Sequence, residues 1–181
     1  HLVFNKFHIP IGAKLFLYDE SSEQILGAFT SNNNKESHVF AVAPIFSDRI
    51  IIEYFEPYYA EFDGVVEVGQ VYHGYIDISE DIINSLDGTC EVDINCSEGD
   101  NWQTEKKAVC RIIYGTGACS GALINNTNYD GTPYFLTANH CISTEADAQK
   151  CIFYFNYENK TCGVQSTSSV QTLSGATLKA T

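Results

Sequence analysis

Basic residues are scarce in this sequence. Lys and Arg number 10 against 23 Asp and Glu, a formal net charge of −13 over 181 residues. Nucleic acid and anionic membrane surfaces both demand a basic patch, so neither is expected as the main partner. No uninterrupted apolar run approaches the ~20 residues of a membrane-spanning helix, so no membrane span is expected. The sequence opens directly on His1-Leu2-Val3-Phe4, so these residues are expected to be a trimmed or mature segment rather than a signal peptide. Cysteine is absent from the first 89 residues. Where cysteines do occur, none forms a C-x2-C or Cys/His pair with zinc-ligand spacing, so neither a metal nor another cofactor is expected. No internal repeat is found.

What is present argues for packed structure. Hydrophobic residues make up 44% and aromatics 13%, which excludes a disordered chain. The length suits one large domain or two small ones, each able to bury a core. All 7 cysteines lie between Cys90 and Cys162. Clustered cysteines without metal spacing point to disulfides, hence to an exported protein that is secreted, periplasmic or on the cell surface. The odd count leaves one without a partner in this chain.

The hydrophobic pattern predicts an all-β protein in two parts. Residues 1–78 hold short apolar–polar alternations broken by turns. Leu15-Phe16-Leu17-Tyr18 precedes Asp19-Glu20-Ser21-Ser22, and Ile25 to Phe29 precedes Ser31-Asn32-Asn33-Asn34. Arg49 to Phe55 stops at Glu56-Pro57, and Val65 to Tyr75 follows Asp63-Gly64. Evenly spaced short strands of this kind suggest an antiparallel sandwich. An acidic, polar stretch follows, with residues 79–89 read as a linker. From Cys90 to Thr181 strand signals resume at Val109 to Tyr114, Ser120 to Ile124, Tyr134 to Leu136 and Ile152 to Tyr157. Only residues 144–150 look helical.

The chemistry centres on His140. It stands in Tyr134-Phe135-Leu136-Thr137-Ala138-Asn139-His140-Cys141, a buried-strand run that ends in a polar turn. Upstream lies Gly117-Ala118-Cys119-Ser120-Gly121-Ala122-Leu123-Ile124, a small-residue turn feeding an apolar strand. Here the sequence resembles the chymotrypsin-like serine proteases, whose pattern is C-x-G-x-L-[IV] followed by T-A-x-H-C. Within that family it is most similar to the secreted bacterial lysyl endopeptidases. They share a segment like residues 90–100, the Tyr-Phe-Leu-Thr-Ala-x-His-Cys run, and stretches like residues 154–162 and 174–181. The likeness spans about residues 88–181. Residues 1–78 bear a weaker likeness to the β-rich pro-segment of related exported enzymes.

The resemblance implies that His140 is the general base of a Ser-His-Asp triad acting on a protein or peptide substrate. It implies that residues 90–181 form the first barrel of a double-barrel protease. The aspartate and the G-D-S-G serine segment do not occur in this sequence. The chain is therefore expected to be the front part of a secreted serine endopeptidase, a zymogen inert by itself, whose partner is the missing C-terminal barrel. Also by resemblance, Cys119 pairs with Cys141 and Cys96 with Cys162. Neighbouring first and fourth barrel strands would then join Cys110 to Cys151, leaving Cys90 unpaired. A protease-like binding protein without the serine, or an adhesion or carbohydrate-binding sandwich in residues 1–78, are the rival readings.

Other features are read structurally. Ser120 is taken as a strand residue, Arg111 to Gly115 as the first barrel strand rather than a zymogen cleavage site, and Asp130-Gly131 as a hairpin turn. Asp93, Glu98 and Asp100 lack calcium-loop spacing. His8, His38 and His73 fit no metal spacing. Trp102 is expected in a core or an interface. The N-x-[ST] triplets at Asn95, Asn125 and Asn159 matter only in a host that glycosylates them.

Overall fold

The computed structural model describes residues 1–74, 92–115, 117–167 and 170–181. The expected linker 79–89 and Cys90 lie outside these residues. The all-β expectation holds: the described residues form thirteen strands in several antiparallel sheets, with one short α-helix and three 3-10 turns. Two compact units result. The first comprises His1–Tyr72, Glu145–Ile152 and Ser174–Lys179; the second comprises His73–Thr144, Phe153–Leu173 and Ala180–Thr181.

In the first unit, β1 (Leu2–His8) lies between β4 (Phe40–Ala41) and β6 (Val65–Val71), while β2 (Lys14–Tyr18) lies between β3 (Ile25–Phe29) and β5 (Ile51–Phe55). β2 follows the period of two: Leu15 and Leu17 are buried while Lys14 is exposed. β1 does not, because its register against β6 shifts on either side of Phe4. Asn5 falls in the gap, and its side chain fills the space a Cβ on Gly69 would need, 2.0 Å away. This bulge leaves Asn5 and Lys6 both exposed but returns Phe7 to the core. Both sheets share one cluster: Leu2, Phe4 and Phe7 from β1, Leu15 and Leu17 from β2, and Phe40 from β4. The Phe7 and Phe40 rings stand 4.6 Å apart. Fully burying each such side chain contributes about 1.5–3 kcal/mol.

At the turn after β2, Asp19 accepts hydrogen bonds from the Gln24 amide and the Ser21 hydroxyl, which fixes the approach to β3. The predicted helix is α1 (Glu145–Lys150), in this same unit. Gly175 and Ala176 donate their amides to the carbonyls of Cys151 and Ala148, and the Leu178 amide reaches Glu145.

The second unit carries most of a five-stranded sheet in the order β13 (Gln171–Ser174), β10 (Ile152–Phe155), β7 (Val109–Tyr114), β8 (Gly117–Ile124), β9 (Tyr134–Thr137). The hairpin β11 (Asn159–Thr161) and β12 (Val164–Thr167) stands apart from that sheet. Its core is small. Ile112, Cys110, Cys141, Ile142 and Phe153 are buried, and Phe153 meets Phe135 edge-on at 5.1 Å. Covalent and polar ties supplement it. Cys96 bonds to Cys162 across 66 residues. Around that bridge Asp93 accepts from Asn159 Nδ2 and Gly163 N, and Lys106 Nζ donates to Asn95 and Glu158.

Candidate active site

β8 and β9 build the platform for His140. They pair antiparallel, with Gly121 opposite Thr137 and Ala122 opposite Leu136. A side chain at Gly121 would sit 2.4 Å from the Phe135 ring and 2.5 Å from the Leu136 carbonyl oxygen, so only glycine lets these strands close. Thr137, the last residue of β9, donates its hydroxyl to the Ser120 carbonyl at 2.9 Å. The chain then turns. The Ala138 carbonyl accepts from the Cys141 amide at 2.9 Å and the Ile142 amide at 3.4 Å. Cys141 and Ile142 plug into the interior, and Cys141 bonds to Cys119 on β8 with their Cα atoms 6.1 Å apart.

His140 rides on this turn with its side chain exposed. Its imidazole makes no hydrogen bond to another described residue, so none of them orients the ring. The imidazole and the sulfurs of Cys119 and Cys141 lie within 4.8 Å of one another. Those sulfurs are joined to each other and offer no thiolate, so the cluster does not constitute a metal centre. Chemically, the arrangement presents one imidazole, fixed at its backbone and unbonded at its ring to the other described residues, on a disulfide-braced turn.

Beside it the sheet shows an apolar face. Val109, Ala122 and Leu136 lie side by side across three strands, as do Ile124 and Tyr134 on two of them. Leu136 is 62% exposed and Val109 51%.

The remaining sequence candidates fall as follows. Cys96 to Cys162 and Cys119 to Cys141 are bonded as expected. Cys110 and Cys151, expected to bond to each other, are instead free, buried thiols. β7 and β10 are indeed neighbours. However, the Cys110 thiol meets the backbone of Tyr154, three residues along the chain from Cys151. Its thiol is thus turned to Tyr154 rather than to Cys151. The Cys151 thiol donates to the Asp147 carbonyl at 3.2 Å. Burial pushes Cys110 up to about 11; burial and the Asp147 charge push Cys151 up to about 12. Both are protonated at neutral pH and are poor nucleophiles.

Ser120 and Arg111 to Tyr114 sit within strands. Asp130 shapes the β8–β9 connection, accepting from Asn126 Nδ2 and the Thr132 amide. The Thr132 side chain first, then the Thr132 amide and Asn126, hold its carboxyl down at about 2. Trp102 is 58% exposed, so it is not a core residue. His8 stacks on Phe62 and meets His38 edge-on at 5.1 Å. Asn95 and Asn159 are engaged in the polar network, whereas Asn125 is exposed. Sequence reasoning missed the tie from Asp93 to Asn159 and Gly163, because no local pattern marks a contact across more than sixty residues.

No helix among the described residues is long and apolar enough to cross a membrane. Residues 85–181, more than half of the chain, match the family model for the C-terminal domain of lysyl endopeptidase. The turn that carries His140 lies inside the matched region, and the protein belongs to the lysyl endopeptidase C-terminal domain family, a protease-related one.

Proposed function

We propose that this chain is the front part of a secreted, chymotrypsin-like serine endopeptidase that hydrolyses peptide bonds after lysine, with His140 as general base. The observation that carries this reading is the position of His140 on a disulfide-braced turn inside the family-matched region. In the reaction the imidazole takes the proton of a serine hydroxyl as that oxygen attacks the scissile carbonyl. It then returns the proton to the leaving amine. The serine and the aspartate that orients the ring come from outside residues 1–181. The lysine preference follows from the family's name.

Two further observations support the scheme. The row of Val109, Ala122 and Leu136, exposed at Val109 and Leu136, suits burial by a second barrel. The apolar cluster of the first unit is drawn entirely from residues 2–66, which suits a pro-segment or accessory domain, although that unit also takes in Glu145–Ile152 and Ser174–Lys179. Labelling with a fluorophosphonate probe tests the assignment. The complete secreted product should label at a serine outside these residues, and residues 1–181 alone should not label. A complete product that never labels would mark the protein as a protease-like binder instead.

A further inference from the structure

The lysines of the first 72 residues are Lys6, Lys14 and Lys35. Lys6 is inside β1 and Lys14 opens β2, where the backbone is committed to sheet pairing. An endopeptidase takes its substrate extended and accessible, so cutting at either would require opening a sheet. Lys35 differs: it lies in the connection between β3 and β4, next to an exposed Glu36. No lysine or arginine occurs between Asp77 and Glu105, and Lys106 is held in a half-buried pair with Glu158. Lys35 is therefore the one lysine ahead of the Cys96–Cys162 bridge that lies outside regular structure.

Its side chain is nevertheless withheld. The Lys35 ammonium turns inward, donates to the Ser174 carbonyl and lies 5.7 Å from the centre of the Phe40 ring. No described carboxylate pairs with it, and burial lowers its pKa to about 8. The loop is pinned around it: Asn34 exchanges two hydrogen bonds with the Ile9 backbone, and the His38 amide donates to the Lys35 carbonyl. A lysine-specific enzyme must take the ammonium into its own pocket, and here the ammonium is already occupied. Gly175 completes the enclosure. It has φ +67°, and a Cβ there would lie 2.6 Å from both Lys35 Nζ and the Gln149 carbonyl oxygen.

We infer that the Lys35–Glu36 bond is a latent processing site for a lysine-specific endopeptidase, closed because the segment Ser174–Lys179 holds the Lys35 ammonium inside the first unit. Cleavage would add water across the peptide bond, leaving a carboxylate on Lys35 and an amine on Glu36. The inference rests on the lysine preference proposed above and deepens it into a control. The N-terminal unit stays intact while it grips a segment of the family-matched region and becomes cleavable when that segment lets go.

The test uses an added, separately prepared lysyl endopeptidase on the folded chain, with cuts located by intact mass and N-terminal sequencing. It therefore fails independently of this protein's own activity. Three proteins are compared: the unchanged chain, Gly175→Ala and Glu36→Lys. The unchanged chain should resist cutting after Lys35. Glu36→Lys, which adds an unheld lysine in the same loop, should be cut after position 36. Gly175→Ala should be cut after Lys35 about tenfold faster or more than the unchanged chain, because cleavage tracks the open population. Cutting of the unchanged chain after Lys35 as fast as Glu36→Lys is cut after position 36 would refute the latch. Resistance of Gly175→Ala, or of Glu36→Lys, would refute it equally. Cuts after Lys6 and Lys14 as fast as after Lys35 in Gly175→Ala would show general unfolding and overturn the selective role.

Discussion

Replacing both Cys119 and Cys141 by alanine removes the brace beneath His140 while leaving no stray thiol. The bridge closes a separation of 22 residues. In the chain-entropy account a loop of that size stabilises by ~3 kcal/mol. Alanine retains the Cβ atoms but empties the sulfur sites, one of them in the buried Cys141, so ~3 kcal/mol is the lower end of the expected loss. For a unit of roughly a hundred residues that corresponds to a melting point lower by ~12–24 °C. The loss should be largest locally, since the Ala138 carbonyl and the Cys141 and Ile142 amides hold the turn only while Cys141 is anchored. Thermal unfolding by circular dichroism, with hydrogen exchange over residues 138–142, reads both effects. A melting point unchanged within a few degrees, with unaltered exchange at Cys141 and Ile142, would show that the brace does not fix the turn.

Other perturbations follow from named contacts. Lys106→Met should destabilise by about 1–3 kcal/mol in urea titration, because it leaves the half-buried Glu158 carboxylate without its charged hydrogen bond; adding Glu158→Gln should recover part of that loss. Cys110 and Cys151 should resist iodoacetamide at pH 8 until the chain is unfolded, and non-reducing peptide mapping should find no bridge between them. Their raised folded pKa values set a sign. The unfolded thiols ionise from about pH 8.5, so stability present below that pH should fall as pH rises towards the folded values of about 11 and 12. Cys110→Ala with Cys151→Ala should flatten that fall.

How much of this was legible in the sequence depended on whether the signal was local. β2 was readable because Leu15 and Leu17 alternate with outward residues without interruption. β7 and β8 were readable for the same reason of clear strand composition. β1 went unmarked although it supplies much of the core, because the bulge at Asn5 places two outward residues in succession and breaks the period. β4, with two residues, is too short to carry any period. The turn of His140 was legible through its resemblance to the C-x-G-x-L and T-A-x-H-C pattern, whose glycine, threonine and cysteine each have a steric or covalent task in the structure. The Cys110–Cys151 expectation failed because strand adjacency alone does not fix which side chains meet: the Cys110 thiol faces the Tyr154 backbone and the Cys151 thiol the Asp147 carbonyl. The Lys35 to Ser174 bond joins residues 139 apart, a pairing to which no spacing rule applies.

The central claim is that His140 moves the proton in peptide hydrolysis. The most direct test is turnover of a lysyl peptide substrate by the complete secreted protease carrying His140→Ala, measured against the unchanged enzyme and with folding verified by circular dichroism. The account predicts a fall in kcat on the order of 10⁴ or more with KM little changed. Near-normal turnover by the folded variant would contradict it.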